Sequence, residues 1–266
     1  MIAEELHSNG VLELVVDRPP VNAFSIGLLQ SLAHRIDNAA GQPDTRVILL
    51  RSAGRGFCGG GDVKEVEQLA GFEGILGQSA GSLQVCLSVL NCAIPVVCAV
   101  HNYCIGVGVL IAASADILVA SARTRFVLAE VDNGATAGGV QALKLMPEKR
   151  VRAAMMTAEP ILSEELFALG TLYRLAPTEE ALVSAAREVS SSIAGKDPNA
   201  IRRLKRSLNN SARAADLEAM YRAELSYTYE LNILGIASAG RKAFIGGERA
   251  SYTSEQGGDE PLDGTR

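Results

Sequence analysis

The period of the apolar positions changes several times along the 266-residue chain. Residues 11–17, VLELVVD, form a short apolar run, and Arg18-Pro19-Pro20 ends it, which predicts a strand because proline cannot donate to a ladder. Leu28, Leu29, Leu32, Ala33 and Ile36 then share one stripe, predicting a helix over about 26–40. RVILLRS from Arg46 reads as a second strand, leading into the glycine-rich turn GRGFCGGGD and a short helix from about Asp62. A long helical segment over about 72–90 is followed by a third strand, PVVCAVH, opened by Pro95. The glycine-containing stretch 106–113 reads as a helix, and DILVAS as a fourth strand. Strands alternating with helices predict βαβ units and a mainly parallel sheet covered on both faces.

From Gln141 onward the pattern is helical: LKLMPEKRVRAAMM, SEELFALG, TEEALVSAAREVSSSIA, NAIRRLKRSLNNSA, LEAMYRAELSYTYELNIL and a shorter piece ending near Phe244. The expected organisation is an α/β core over 1–195, a C-terminal helical region over 196–250, and a polar, glycine-rich tail over 251–266 expected to be disordered. No repeat at solenoid spacing occurs.

Composition narrows the function classes. The chain is 48% hydrophobic, with 25 Lys+Arg against 30 Asp+Glu and a net charge of −5. Without clustered positive charge, neither a nucleic-acid footprint nor binding to an anionic membrane surface is expected. The start, MIAEELHSNG, carries acids where a signal peptide carries bases, and the longest apolar stretch is interrupted by His101, Asn102 and Asp116. A cytoplasmic protein is expected. The five cysteines, Cys58, Cys86, Cys92, Cys98 and Cys104, show no CxxC and lie mostly in apolar contexts, so buried free thiols are expected, with no metal framework.

Two glycine-rich turns each follow a buried strand and open a helix. In Phe57-Cys58-Gly59-Gly60-Gly61-Asp62 and in Asn102-Tyr103-Cys104-Ile105-Gly106-Val107-Gly108, backbone N–H groups can point into a cavity, the second aided by the positive end of the following helix. Two such turns facing each other would make an oxyanion hole; the alternative is a pair of packing turns. Neither matches a P-loop or GxGxxG.

These residues also carry a family pattern. RVILLRSAGRGFCGGGDVKEV and IPVVCAVHNYCIGVGVLIAASADILVAS resemble the two signature segments of crotonases, the enoyl-CoA hydratase/isomerase superfamily. DRPPVNAFS, FVLAEVDNG and ILSEELFALGTLYRLAP resemble further family motifs in the same order, so the resemblance spans about Gly10 to Arg249. It implies a ClpP/crotonase-like ββα spiral core with a helical C-terminal trimerisation region. It implies an acyl-CoA thioester substrate, with coenzyme A carried on the substrate and no other cofactor, and a homotrimer or hexamer.

By the same resemblance the N–H groups of Gly61 and Val107 form the oxyanion hole, with Gly59, Gly60, Asp62 and Gly106 around them. Ala23, Phe24, Arg18 and Lys64 would lie along the CoA chain; for Arg18 and Lys64 an ordinary surface-charge reading stands beside this one. Phe244 is similar to the residue that closes a neighbouring subunit's CoA site, although Gly246 and Gly247 replace the basic residues usual just after it.

The sequence departs from hydratases at the acids. Where the family has two glutamates that clamp a water, this chain has Leu110 and Glu130. Glu130 follows the apolar run RFVLA, so partial desolvation should raise its pKa toward working pH; a surface-loop glutamate is the plainer alternative. Asp132 and Asn133 form an extra polar pair beside it, able to position water or a substrate carbonyl, or simply to make a turn before Gly134. His101 is more readily a satisfied core histidine than a catalytic one.

Within the superfamily the PPVNA turn, the F-x-x-x-E-V-x-x-G loop and the pattern from Tyr221 to Asn232 resemble an actinobacterial branch that opens steroid-derived rings by hydrolytic retro-Claisen cleavage. The alternatives are an enoyl-CoA hydratase, a Δ3-Δ2 enoyl-CoA isomerase, or a non-catalytic CoA-binding relative.

Overall fold

A computed structural model describes residues 1–211 and 214–247. Its strands are β1 (Ile2–Leu6), β2 (Val11–Val16), β3 (Val47–Ser52), β4 (Cys58–Gly59), β5 (Val96–Val100), β6 (Tyr103–Ile105), β7 (Ile117–Ser121), β8 (Arg125–Val127), β9 (Ile161–Leu162) and β10 (Leu172–Ala176). The larger sheet has the order β1-β2-β3-β5-β7-β10 and is parallel except for the antiparallel edge pair β1 and β2. The four anticipated strands are its centre. Val47, Ile48, Leu49 and Leu50 on β3, like Val96, Val97 and Cys98 on β5, are fully buried, as strands covered on both faces must be.

The Ile26–Gly41 helix buries Leu28, Leu29, Leu32, Ala33, Ile36 and Ala39, and begins where the Ser25 hydroxyl accepts from Leu28 N at 3.2 Å. It packs against the Glu73–Asn91 helix, which forms one wall of the site. On the opposite face of the sheet the Glu179–Ala194 helix covers a second apolar cluster around Val47, Leu49 and Val97. There the fully buried Glu13 holds Arg51, Arg187 and His7. Burial pushes its carboxyl up, but hydrogen bonds from Arg187, Arg51 and His7 outweigh this and set its pKa at about 2.

Besides the short strands β4, β6, β8 and β9, three elements differ from the sequence expectation. β1 buries only Ile2, too little to show a period. β10 was hidden in a stretch whose apolar and polar residues do not alternate cleanly. Of the anticipated helix LKLMPEKRVRAAMM only the part from Glu148 is helical, within Glu148–Thr157; 143–147 are turn and loop because Pro147 cannot continue a helix and instead precedes the first turn, and a separate short helix, Gly139–Ala142, stands before them. The terminal helices are Pro198–Ser211, Ala214–Ile233 and Ile236–Ile245. The expectation for 251–266 lies outside the described residues. Among the described residues no helix is long and apolar enough to cross a membrane.

The smaller sheet, β4-β6-β8-β9, places the site. β4 and β6 run parallel with Cys58 opposite Cys104 and Gly59 opposite Ile105. Their C-terminal ends therefore lie at the same edge, and the register continued by one and two residues sets Gly60 beside Gly106 and Gly61 beside Val107.

Candidate active site

Each donor amide follows a glycine in a conformation that side chains rarely adopt: Gly60 has φ +97° and precedes Gly61, and Gly106 has φ +53° and precedes Val107. These kinks turn the chain from strand to helix and free the next N–H from the ladder. Neither the Gly61 nor the Val107 amide donates to a protein acceptor among the described residues. Val107 opens the Val107–Ser114 helix, so its N–H is one of the unpaired donors at a helix start.

The first turn is braced from the N-terminal side. The Asn22 side chain donates to Ala53 O at 2.7 Å and to Gly56 O at 2.8 Å, and Gly59 N donates to Asn22 O. Phe24 N donates to Gly60 O at 2.8 Å, and Asp62 N to Phe24 O at 3.0 Å. The Phe24 ring is fully buried, so only its backbone reaches the turn. Asp62 caps the Val63–Gln68 helix and accepts from Arg18 Nη2 at 2.6 Å, while Arg18 Nη1 donates to Ala23 O at 2.7 Å. Arg18, Ala23, Phe24 and Asp62 are thus tied into the scaffold behind the turn and do not line the cavity; Lys64 is exposed outside it.

The cavity in front of the turns measures about 350 Å³ and is lined by Gly59, Gly60, Gly61, Gly106 and Val107 from the two turns. Leu110, Glu130, Asp132, Asn133 and Phe244 complete the set anticipated from sequence. Glu130 Oε1 lies 3.5 Å from where a Cβ on Gly106 would sit, which places the carboxylate beside the second turn. Its Oε2 is buried and has no partner. Burial raises the Glu130 pKa to about 7, and the nearby Glu224 charge adds to the rise. Glu224 itself is committed elsewhere, accepting from Gly138 N at 2.8 Å and Val140 N at 2.9 Å.

Phe244 lines the cavity of its own chain, together with Gly240 and Arg241 of the Ile236–Ile245 helix. The Arg241 side chain donates to Glu67 and to Asn232 Oδ1. His101 is buried away from the cavity, with Nε2 3.1 Å from Gly54 O and 3.3 Å from Glu179 Oε1, two acceptors that place the proton on Nε2. All five cysteines are free and buried. Burial pushes Cys58 and Cys86 up to about 12, which leaves them as inert thiols at neutral pH. Among the described residues no group of three or more metal-ligating side chains converges.

Gln78, Tyr221, Leu225 and Thr228 also line the cavity; sequence reasoning placed none of them there, although Tyr221 and Thr228 stand in the pattern that runs to Asn232. Tyr221, Leu225 and Thr228 are spaced by four and three residues and form one face of the Ala214–Ile233 helix, a signal available from periodicity. Gln78 gave none: its amide covers Gly61, with Nε2 2.6 Å from where a Cβ would sit, and only the packed structure shows this.

A spiral of parallel strands that sets two free backbone amides and one desolvated carboxylate around an apolar cavity defines a crotonase-class protein. Residues 7–254 match the Enoyl-CoA hydratase/isomerase family, and the chain belongs to it. A (7aS)-7a-methyl-1,5-dioxo-2,3,5,6,7,7a-hexahydro-1H-indene-carboxyl-CoA hydrolase of Rhodococcus jostii is 34% identical over 244 residues, 92% of this chain and 94% of that protein. The Mycobacterium tuberculosis protein of the same name is 34% identical over 236 residues, 89% of this chain and 95% of its own. A solved enoyl-CoA hydratase from Mycobacterium avium subsp. paratuberculosis shares the fold with a TM-score of 0.82 at 23% identity, covering 95% of this chain and 98% of that one.

Proposed function

We propose that this chain is a hydrolase that opens the ring of a cyclic keto acyl-CoA by retro-Claisen C–C cleavage with the thioester kept intact; its relatives at 34% identity are named as hydrolases of a bicyclic dione carboxyl-CoA. The observation that carries the reading is Glu130: a single buried carboxylate whose Oε2 has no partner, in one cavity with two free amides and with Leu110 where hydratases carry a second acid. Glu130 takes a proton from water, which adds to the ring ketone. The bond between that carbon and the thioester α-carbon then breaks, and its electron pair enters the thioester as an enolate. The Gly61 and Val107 amides hold the enolate oxygen, and the proton on Glu130 passes to the α-carbon. Preorganised donors of this kind are worth about 3–4 kcal/mol each.

The cavity supports an acyl group of small-molecule size, since 350 Å³ lies within the span of roughly 300–1,000 Å³ usual for small-ligand pockets. A bicyclic acyl-CoA with a ketone β to the thioester tests the reading: the expected product is heavier by one water and carries a new carboxylate, detected by mass spectrometry. Recovery of unchanged thioester would refute it. Hydration of a short 2-enoyl-CoA is expected to be slow by about 10²–10⁴-fold, the share of a positioned acid or base. Rapid crotonyl-CoA hydration would contradict the role given to Leu110, and Leu110→Glu is expected to raise that activity.

The same reading includes a cytoplasmic homotrimer or hexamer with no cofactor beyond the CoA on the substrate. Leu204, Tyr227, Ile233 and Ile245 are exposed on the terminal helices, with Leu234 exposed in the turn between the last two, more apolar surface than a solvated helix face carries. Light scattering is expected to give three or six chains; a stable monomer at micromolar concentration would oppose this.

A further inference from the structure

Glu130 and Asn133 stand at the two ends of one 3₁₀ turn. Glu130 precedes Val131–Asn133, and Asn133 N donates to Glu130 O at 3.0 Å. With three residues per turn, positions three apart eclipse each other, so Asn133 stacks on Glu130 on the cavity side. Val131 between them is 48% exposed and faces away.

The Asn133 amide has a fixed orientation, because Nδ2 donates to Ala129 O at 3.2 Å. That leaves Oδ1 as the free end, and it is buried without a partner. Glu130 Oε2 is in the same condition. Two buried acceptors three residues apart on one turn, both lining the same cavity, are matched by a group that offers two donors. Water does so. A ring ketone, a thioester carbonyl and a carboxylate have no donor to give.

We infer that Asn133 is a positioning residue that, with Glu130, holds the attacking water from two sides, taking the part that a second carboxylate would play where Leu110 stands. The inference rests on the hydrolytic reading above. One water hydrogen goes to Glu130 as the oxygen bonds to the ring carbonyl carbon, and the other stays bonded to that oxygen and is donated in a hydrogen bond to Asn133 Oδ1. When the C–C bond breaks, the former ketone carbon leaves as a carboxylic acid and the α-carbon takes the proton from Glu130. No oxidant or further reactant is needed.

Two reactions of the full chain separate this role from a structural one. Ring opening of the bicyclic β-keto acyl-CoA needs the held water. Exchange of the α-proton of the ring-opened product in D₂O needs only Glu130 and the two amides. Asn133→Ala is expected to slow ring opening roughly 10- to 100-fold, the loss of one hydrogen bond to a buried group. Exchange and thioester affinity are expected to change by less than about threefold, since neither uses the water.

Asn133→Ser, which keeps an acceptor, should fall between, and it carries the test if the alanine variant does not fold. An equal drop in both reactions, or an unchanged ratio of opening to exchange in either variant, overturns the inference. Failure of the unsubstituted chain to open the ring overturns the reaction itself, and is read without any variant.

Discussion

Glu130→Gln is expected to lower turnover of a cyclic keto acyl-CoA by at least ~10²-fold while leaving thioester affinity nearly unchanged. The amide has the shape of the carboxylate but cannot accept a proton, and the Gly61 and Val107 amides still hold the thioester oxygen. The pH profile makes the same point. With its pKa raised to about 7 by burial and by Glu224, Glu130 is protonated below that value and cannot act as a base. The rate per enzyme should therefore climb with pH through about 7 and level off above it, and Glu130→Gln should abolish that limb.

Asp132→Asn supplies the control, because Asp132 lines the same cavity. A smaller loss than in Glu130→Gln is expected if Asp132 only orients water, and a comparable loss if it is a general acid. Near-normal turnover in Glu130→Gln together with an inactive Asp132→Asn would move the base to Asp132 and refute the present assignment.

What the sequence discloses about this site divides along physical lines. The central strands β2, β3, β5 and β7 were legible because they are mostly apolar runs, broken only by Glu13 in β2 and by the ends of β3 and β7, as strands covered on both faces tend to be. The oxyanion turns were legible because only glycine-rich chain makes such kinks. Burial of Glu130 was legible from RFVLA just before it. The smaller sheet was not, since Cys58–Gly59 and Ile161–Leu162 are two residues long and no period fits in two residues.

Contacts between distant segments were closed to sequence reasoning for another reason. Glu224 raises the Glu130 pKa from 94 positions away, and Gln78 covers Gly61 from a helix whose pattern shows only a packing stripe. Phe24 shows what burial adds to motif position: its ring is in the core, so only its backbone reaches the turn. Motif position identifies a residue's place, while burial decides which of its atoms can act.

Removing one oxyanion donor without disturbing its surroundings is ordinarily difficult, since a backbone N–H has no side chain to change. Val107 allows it. As the first residue of the Val107–Ser114 helix it occupies the position at which proline is well tolerated, because the N–H lost there has no partner within the helix. Proline restricts the residue before it, but Gly106 has no Cβ, and its ψ of −120° is the mirror image of the extended value that proline prefers. Val107→Pro is therefore expected to fold, keep an apolar group in the cavity and lose only the amide hydrogen. Turnover should drop by about 10²–10³-fold, the effect of one oxyanion donor, with thermal stability nearly unchanged. The ascending pH limb near 7 should survive, because Glu130 is untouched. A stable Val107→Pro protein with undiminished turnover would show that the thioester oxygen does not sit against this amide, and the enolate would then have to be held elsewhere in the cavity.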